Sequence, residues 1–307
     1  MVFKNCKIVG VLNVTPDSFS DGGKHFEPGA AAVFAKQLCE DGCDIIDIGG
    51  QSTRPGYTRI SAQEELSRVE PVFQRFQKIK LAADLSIDTF YPEVAEKSYD
   101  YGVNIINYTF SFDDANILRL AKEREMYCIF NFCGSLNLYK DFCEGRVNLA
   151  KRYEIAEDKI IFDPGIGFGK TFFEDLEIIM KPEKFRVKGY SLFFGISRKR
   201  VVRVVRELLF NKYKNFSDKL SLLVNKHEKY LDILNFRRCD FEKSVKKIEE
   251  IVNFFRGKLS SEDLENCDDR DFLTGILSLL AVRKGVDYIR VHNVKLMKGM
   301  MCLAGLC

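Results

Sequence analysis

The sequence has no apolar run of the roughly 18 residues that a membrane span needs, no C-x-x-C pair among its ten cysteines, and only seven prolines. The first absence argues against a helical membrane protein, and no membrane partner is expected. The second removes the zinc-ribbon and thioredoxin-like readings. Cys6, Cys39, Cys43, Cys128, Cys133, Cys143, Cys239, Cys267, Cys302 and Cys307 are scattered, which reads as reduced, buried thiols in a cytoplasmic protein. Few prolines, with 21 glycines, exclude collagen-like and low-complexity chains. A surplus of one charge is also missing. Lysine plus arginine number 47 against 44 acidic residues, a net +3, so there is no electrostatic case for nucleic acid. The opening MVFKNCKIVGVLNV has no small-residue cleavage site and reads as a first strand rather than a signal peptide.

What is present is an apolar, charge-balanced chain, 46% hydrophobic and 307 residues long. That suits either two ordinary domains or one (β/α)₈ barrel of roughly 250 residues carrying about 50 more. Eight short apolar runs read as strands: Ile8–Val14, Asp44–Ile48, Leu85–Asp88, Asn104–Asn107, Tyr127–Phe132, Lys159–Phe162, Ser191–Ile196 and Tyr288–Val291. Their near-continuous apolar character fits strands covered on both faces. Helical periodicity lies between them. Ala30–Glu40 is one case. Ser61–Ile79 opens on Ser61 with Glu64 three positions on, a capping box. Pro92 suits the first turn of a helix to about Asp100. Asp113–Glu123, Phe173–Met180 and Thr274–Arg283 follow. Strand alternating with helix predicts a TIM barrel, although a doubly wound open sheet shares the pattern.

One gap is abnormal. Between Ile196 and Tyr288 the chain spends about 90 residues, more than twice any other gap. Leu220, Leu223, Val224, His227, Leu231 and Leu234 make one helical stripe there. Phe241, Val245, Ile248, Val252 and Phe255 make a second. The expectation is therefore a single domain over 1–307 with a helical insertion at 211–267, between strand 7 and the last βα unit, adding structure but no chemistry.

In a parallel barrel the chemistry sits at the C-terminal strand ends. Strand one ends on Asn13 and a polar loop; strand two on Asp47, then Gly49-Gly50-Gln51-Ser52-Thr53-Arg54. Later strands end on Asp88, on Asn107-Tyr108, on Asn131, and on Asp163-Pro164-Gly165 with more glycines. The last two lead to Ser197-Arg198-Lys199-Arg200 and to Arg290-Val291-His292-Asn293. Arg54, Lys199, Arg290 and His292 converging on one mouth suit a phosphate or pyrophosphate. Asp163, on a strand buried on both faces, suits the donor-rich edge of a heterocycle. The glycine run 165–169 is not a Walker loop, because no Lys-Ser/Thr follows with that motif's spacing from a first glycine.

Six stretches then carry a family resemblance: GVLNVTPDSFSDGG at 10–23, DIGGQSTRPG at 47–56, SIDT at 86–89, DPGIGFGK at 163–170, GISRK at 195–199 and IRVHNV at 289–294. In this order the chain resembles the dihydropteroate synthases of the pterin-binding barrel superfamily. The resemblance implies condensation of 6-hydroxymethyl-7,8-dihydropterin pyrophosphate with p-aminobenzoate, giving dihydropteroate and pyrophosphate in folate biosynthesis. It implies Mg2+ and pyrophosphate at Asn13, pyrophosphate at Arg290 and His292, and Thr53 and Arg54 beside it and the p-aminobenzoate. It further implies substrate contacts at Asp88 and Asn107, pterin contacts at Asn131 and Asp163, Lys199 against the pterin ring, and Ser197 near the p-aminobenzoate carboxylate. Lys199, Asp163 and Arg54 are the expected catalytic residues, and a cytoplasmic homodimer is the expected assembly.

Four departures stand out. Gln51 replaces a Glu, Tyr108 an acid, Phe130-Asn131 a Met-His, and Asn293 an Asp. They put pterin affinity in question more than pyrophosphate binding, and restoring Asp at 108 is expected to raise it. The alternatives are a divergent paralogue, a pterin-dependent methyltransferase and a non-catalytic pterin-binding protein.

Overall fold

The computed structural model describes residues 6–15, 27–51, 58–108, 115–210, 238–257 and 269–306. Eight strands alternate with helices in chain order: β1 (Lys7–Asn13), α1 (Pro28–Glu40), β2 (Ile45–Gly49), α2 (Ala62–Phe76), β3 (Asp84–Asp88), α3 (Pro92–Tyr99), β4 (Ile105–Tyr108), α4 (Ala115–Glu123) and β5 (Tyr127–Asn131). Then come α5 (Tyr139–Arg152), β6 (Ile160–Asp163), α6 (Phe172–Met180), β7 (Ser191–Gly195), α7 (Arg200–Phe210), α8 (Arg238–Arg256), α9 (Asp269–Val282), β8 (Tyr288–Val291) and α10 (Val294–Leu303). The strands pair in sequence order, all parallel, and β1 closes on β8. The fold is a (β/α)₈ TIM barrel, not an open sheet.

The strands follow two patterns at once. Outward-facing residues such as Ile46, Ile48, Ile106, Phe130, Phe162 and Phe194 are apolar throughout and pack under the helices. Inward-facing residues change character with height. Val9, Ile45, Ile105, Ile129, Ile161 and Phe193 form a closed apolar plug inside the barrel. Two positions further on, the same inward face carries Asp47, Asn107, Asn131 and Asp163, because side chains alternate with period two. The strand sequences read as continuously apolar because the outward face dominates them.

Local chemistry explains the helix starts. Ser61 caps α2 by accepting the Glu64 N–H at 3.1 Å, but Glu64 turns to Arg68 at 2.6 Å, so only half of the expected capping box forms. A complete box stands instead at α6. Thr171 accepts the Glu174 N–H at 3.2 Å, and Glu174 accepts the Thr171 N–H at 2.6 Å. The polar α5 buries only Tyr139, Cys143 and Ala150, too sparse a stripe to announce itself. Within the insertion, α8 packs against α9 and buries Ile248 and Val252; the stripe from Leu220 to Leu234 lies outside the described residues. Six described cysteines are free thiols, while Cys302 is disulfide-bonded, a departure from the all-reduced expectation. None of the described helices is long and apolar enough to cross a membrane.

Candidate active site

The inward polar residues form two linked clusters at the barrel mouth. Asp47 is the hub of the first. Its Oδ1 accepts from Ser86 Oγ at 2.7 Å, and its Oδ2 accepts from Asn107 Nδ2 at 2.9 Å and Arg290 Nη1 at 2.6 Å. The same Arg290 nitrogen reaches Asp88 Oδ2 at 3.1 Å. Burial works against the Arg290 charge, but Asp47 and Asp88 outweigh it and raise its pKa. Both ion pairs use Nη1 alone, so Nε and Nη2 keep their donors without a partner among the described residues. Sequence reasoning placed Arg290, Asp88 and Asn107 in the site, named Asp47 only as the end of strand two, and stressed the cations over the carboxylates. The mouth carries a carboxylate pair that fixes one end of the guanidinium.

The second cluster surrounds Asp163, which is 2% exposed. Its Oδ1 accepts the Gly165 N–H at 2.8 Å, and its Oδ2 accepts from Asn131 Nδ2 at 3.0 Å. Asn131 Oδ1 is buried and has no hydrogen-bond donor among the described residues. Burial pushes the Asp163 carboxyl up, opposed by Lys199, the Gly165 N–H, Arg290 and Lys170, so Arg290 ties the two clusters together. Gly165 is obligatory: its φ is +71°, and a Cβ there would lie 1.7 Å from the Phe132 carbonyl oxygen. Lys199 donates to the Ile166 carbonyl at 2.6 Å and lies 4.4 Å from the Phe168 ring centroid. Burial lowers its pKa to about 8, against the pull of Asp163. Lys170, assigned no role from sequence, donates to Phe168 O at 3.1 Å, and burial lowers it to about 8 as well.

Ser197 Oγ and His292 Nδ1 are 2.8 Å apart, and the His292 N–H reaches the same oxygen at 3.3 Å. The two residues expected at separate subsites are thus bonded to each other. Asn13 ends β1, in register with Gly49, which in turn pairs with Asp88. Among the described residues, no group of three or more His, Cys, Asp or Glu could hold a metal ion. A single amide oxygen at Asn13 fits a hard cation that takes its remaining ligands from phosphate and water, as magnesium does. Thr53 and Arg54 lie outside the described residues, with most of the first two loops.

The departures sort by strand parity. Tyr108 and Phe130 face outward into the core between barrel and helices, opposite to Asn107 and Asn131. Phe130 packs on Phe162 with ring centroids 5.8 Å apart. Asn293 is the N-cap of α10 and accepts the Leu296 N–H at 3.0 Å, a task Asn performs as well as Asp. Gln51 accepts the Ile60 N–H at 2.7 Å, and its buried Nε2 has no partner among the described residues.

A family model described as pterin binding enzyme matches residues 9–220. The chain belongs to the pterin binding enzymes. Among curated relatives, the dihydropteroate synthase of Clostridium beijerinckii is 37% identical over 209 residues, 66% of this chain and 77% of that one. The dihydropteroate synthase of Bacillus subtilis is 39% identical over 210 residues, 66% and 73%. A solved dihydropteroate synthase from Clostridium difficile, in the presence of pteroic acid, superposes with a TM-score of 0.68 at 28% identity, covering 98% of this chain and 96% of its own. One from Yersinia pestis, in a sulfonamide complex, gives 0.72 at 25% identity, covering 99% and 95%. Within the pterin binding enzymes, the family model takes in the strand ends from Asn13 to Lys199, while Arg290 and His292 lie beyond it.

Proposed function

We propose that the chain is a dihydropteroate synthase, an enzyme transferring a pterinylmethyl group from 6-hydroxymethyl-7,8-dihydropterin pyrophosphate to p-aminobenzoate. The observation that carries this reading is a buried acceptor, Asp163, flanked by Asn131 and Lys199 and held within range of Arg290. A pterin edge offers neighbouring N–H donors to such a carboxylate. Lys199 lies along the ring and excludes water from that side. Nε and Nη2 of Arg290, which have no partner among the described residues, take the pyrophosphate oxygens with His292, and Asp47 and Asp88 keep the guanidinium from turning away.

The C–O bond to pyrophosphate breaks as the aryl nitrogen forms the new C–N bond to the exocyclic methylene. The electron pair leaves with pyrophosphate, and the amine proton passes to solvent. Catalysis comes from positioning and charge stabilisation, without a covalent intermediate on the enzyme. Asn13 would hold magnesium, which supplies further charge neutralisation on the pyrophosphate. Thr53, Arg54 and Ser197 complete the p-aminobenzoate side in this reading, Ser197 through its bond to His292.

The same reading makes the protein a cytoplasmic homodimer. Six free thiols favour a reducing compartment, with the disulfide-bonded Cys302 the exception, and the family resemblance supports the dimer, which sedimentation tests. Incubation with the pterin pyrophosphate, p-aminobenzoate and magnesium should give dihydropteroate. No product from folded protein removes the proposal, and methyltetrahydrofolate binding without pyrophosphate binding would move the chain to the pterin-dependent methyltransferases.

A further inference from the structure

Asp175 belongs to none of the strand ends. It lies in α6, in the helix layer, with 0% exposure. A carboxylate buried so completely is costly unless its oxygens are used. Both are. Oδ1 accepts the Gly167 N–H at 2.6 Å, and Oδ2 faces Arg200 Nη2 at 3.4 Å. Gly167 is in the loop after β6 and Arg200 opens α7, directly after Lys199, so one side chain joins the two segments that enclose Lys199.

The consequences for Lys199 are local. Gly167 holds φ +81°, and a Cβ on it would stand 3.1 Å from Lys199 Cδ. Its two chain neighbours make the seat of the ammonium: Ile166 supplies the carbonyl at 2.6 Å, and Phe168 the ring at 4.4 Å. On the other side, Arg200 directly follows Lys199 in the chain. We propose that Asp175 is a positioning residue for Lys199, stapling the loop after β6 to the start of α7 so that the ammonium meets the bound pterin in one geometry. This rests on the dihydropteroate synthase reading.

Charge gives the proposal a second readout. The groups acting on Lys199 are Asp163 from β6, Arg290 from β8, Asp175 from α6 and Lys170 from the loop; the two carboxylates raise its pKa and the two cations lower it. Removing the Asp175 charge therefore moves Lys199 titration to lower pH.

The test uses the full chain and the variants Asp175→Ala and Asp175→Asn, with kcat/KM for the pterin pyrophosphate measured from pH 6 to 9. Wild-type turnover checks the underlying function first; without it, that reading fails and this one is not reached. Asp175→Ala should lose at least roughly tenfold in kcat/KM. Asp175→Asn keeps an acceptor for the Gly167 N–H and should recover most of the loss. In both, the basic limb of the profile should move down by about half a pH unit. Should the alanine variant not fold, the limb of the asparagine variant decides alone. An unmoved limb overturns the proposal, as does an asparagine variant that folds but is no better than alanine.

Discussion

Arg198 holds a left-handed backbone conformation, φ +57°, under a two-pronged ion pair with Asp271: Nε to Oδ1 at 2.9 Å and Nη2 to Oδ2 at 3.0 Å. Both side chains are largely buried, and Asp271 lies in the first turn of α9. The pair ties the helix next to the insertion to the turn carrying Ser197 and Lys199. A non-glycine residue at positive φ persists only where its surroundings impose it.

Asp271→Ala takes the two-pronged carboxylate contact away from that largely buried guanidinium. Stability should drop by about 3 kcal/mol, read as a lower denaturation midpoint at unchanged slope, and turnover should fall with it. An unchanged midpoint would mean the pair contributes nothing.

Lys199→Ala and Asp163→Ala remove the two pterin contacts of the proposed reaction. Each should lower dihydropteroate formation at least roughly tenfold, about 1.4 kcal/mol of transition-state stabilisation, with the circular dichroism spectrum retained. Near-normal turnover in either variant removes that residue from the site.

Tyr108→Asp should not raise pterin affinity. The side chain points into the apolar layer, so the new carboxylate is buried away from Asn107. Thermal unfolding should shift downward by several degrees, since an unpaired buried charge costs several kcal/mol. Tighter pterin binding on calorimetry, at unchanged stability, would return residue 108 to the site.

Glu65 is wholly buried under β3, where it accepts the Thr89 hydroxyl at 3.0 Å; its Oε1 has no partner among the described residues. Burial pushes its carboxyl up from 4.5 to about 7, opposed by the Thr89 bond and Arg68 and aided by Asp88. Between those values the folded protein keeps a proton that the unfolded chain has lost. Its contribution is therefore full at acid pH and lost as pH rises through about 7. Glu65→Gln removes that dependence. It should gain up to about 3 kcal/mol over the wild type at pH 8 and little at pH 4.5. Parallel stability curves for the two proteins would refute the assignment.

The barrel was legible because each strand carries an unbroken outward apolar face, and Asp163, Asn131, Asn107 and Arg290 because they end strands. Asp47 was marked as a strand end but given no role, since the glycine pair after it drew the reading; two other residues carried no such mark. Asp175 and Asp271 sit where helices commonly hold an acid against the backbone dipole, so their spacing alone cannot separate a dipole partner from a staple. Tyr108 entered the reading because the resembled family carries an acid after the Asn of strand four; alternation puts it on the outer side of the wall, opposite Asn107.

That alternation has a hereditary consequence. On β2, β4, β5 and β6 the apolar plug and the polar row above it share one column, Ile161 below Asp163 and Ile129 below Asn131. Losing one residue from the middle of a strand would turn everything beyond it around, sending the site into the helix layer. The strands can therefore change length gradually only by pairs, and a lineage that preserves this wall preserves the bearings of its chemistry with it, leaving loops and insertions as the places where such an enzyme can vary.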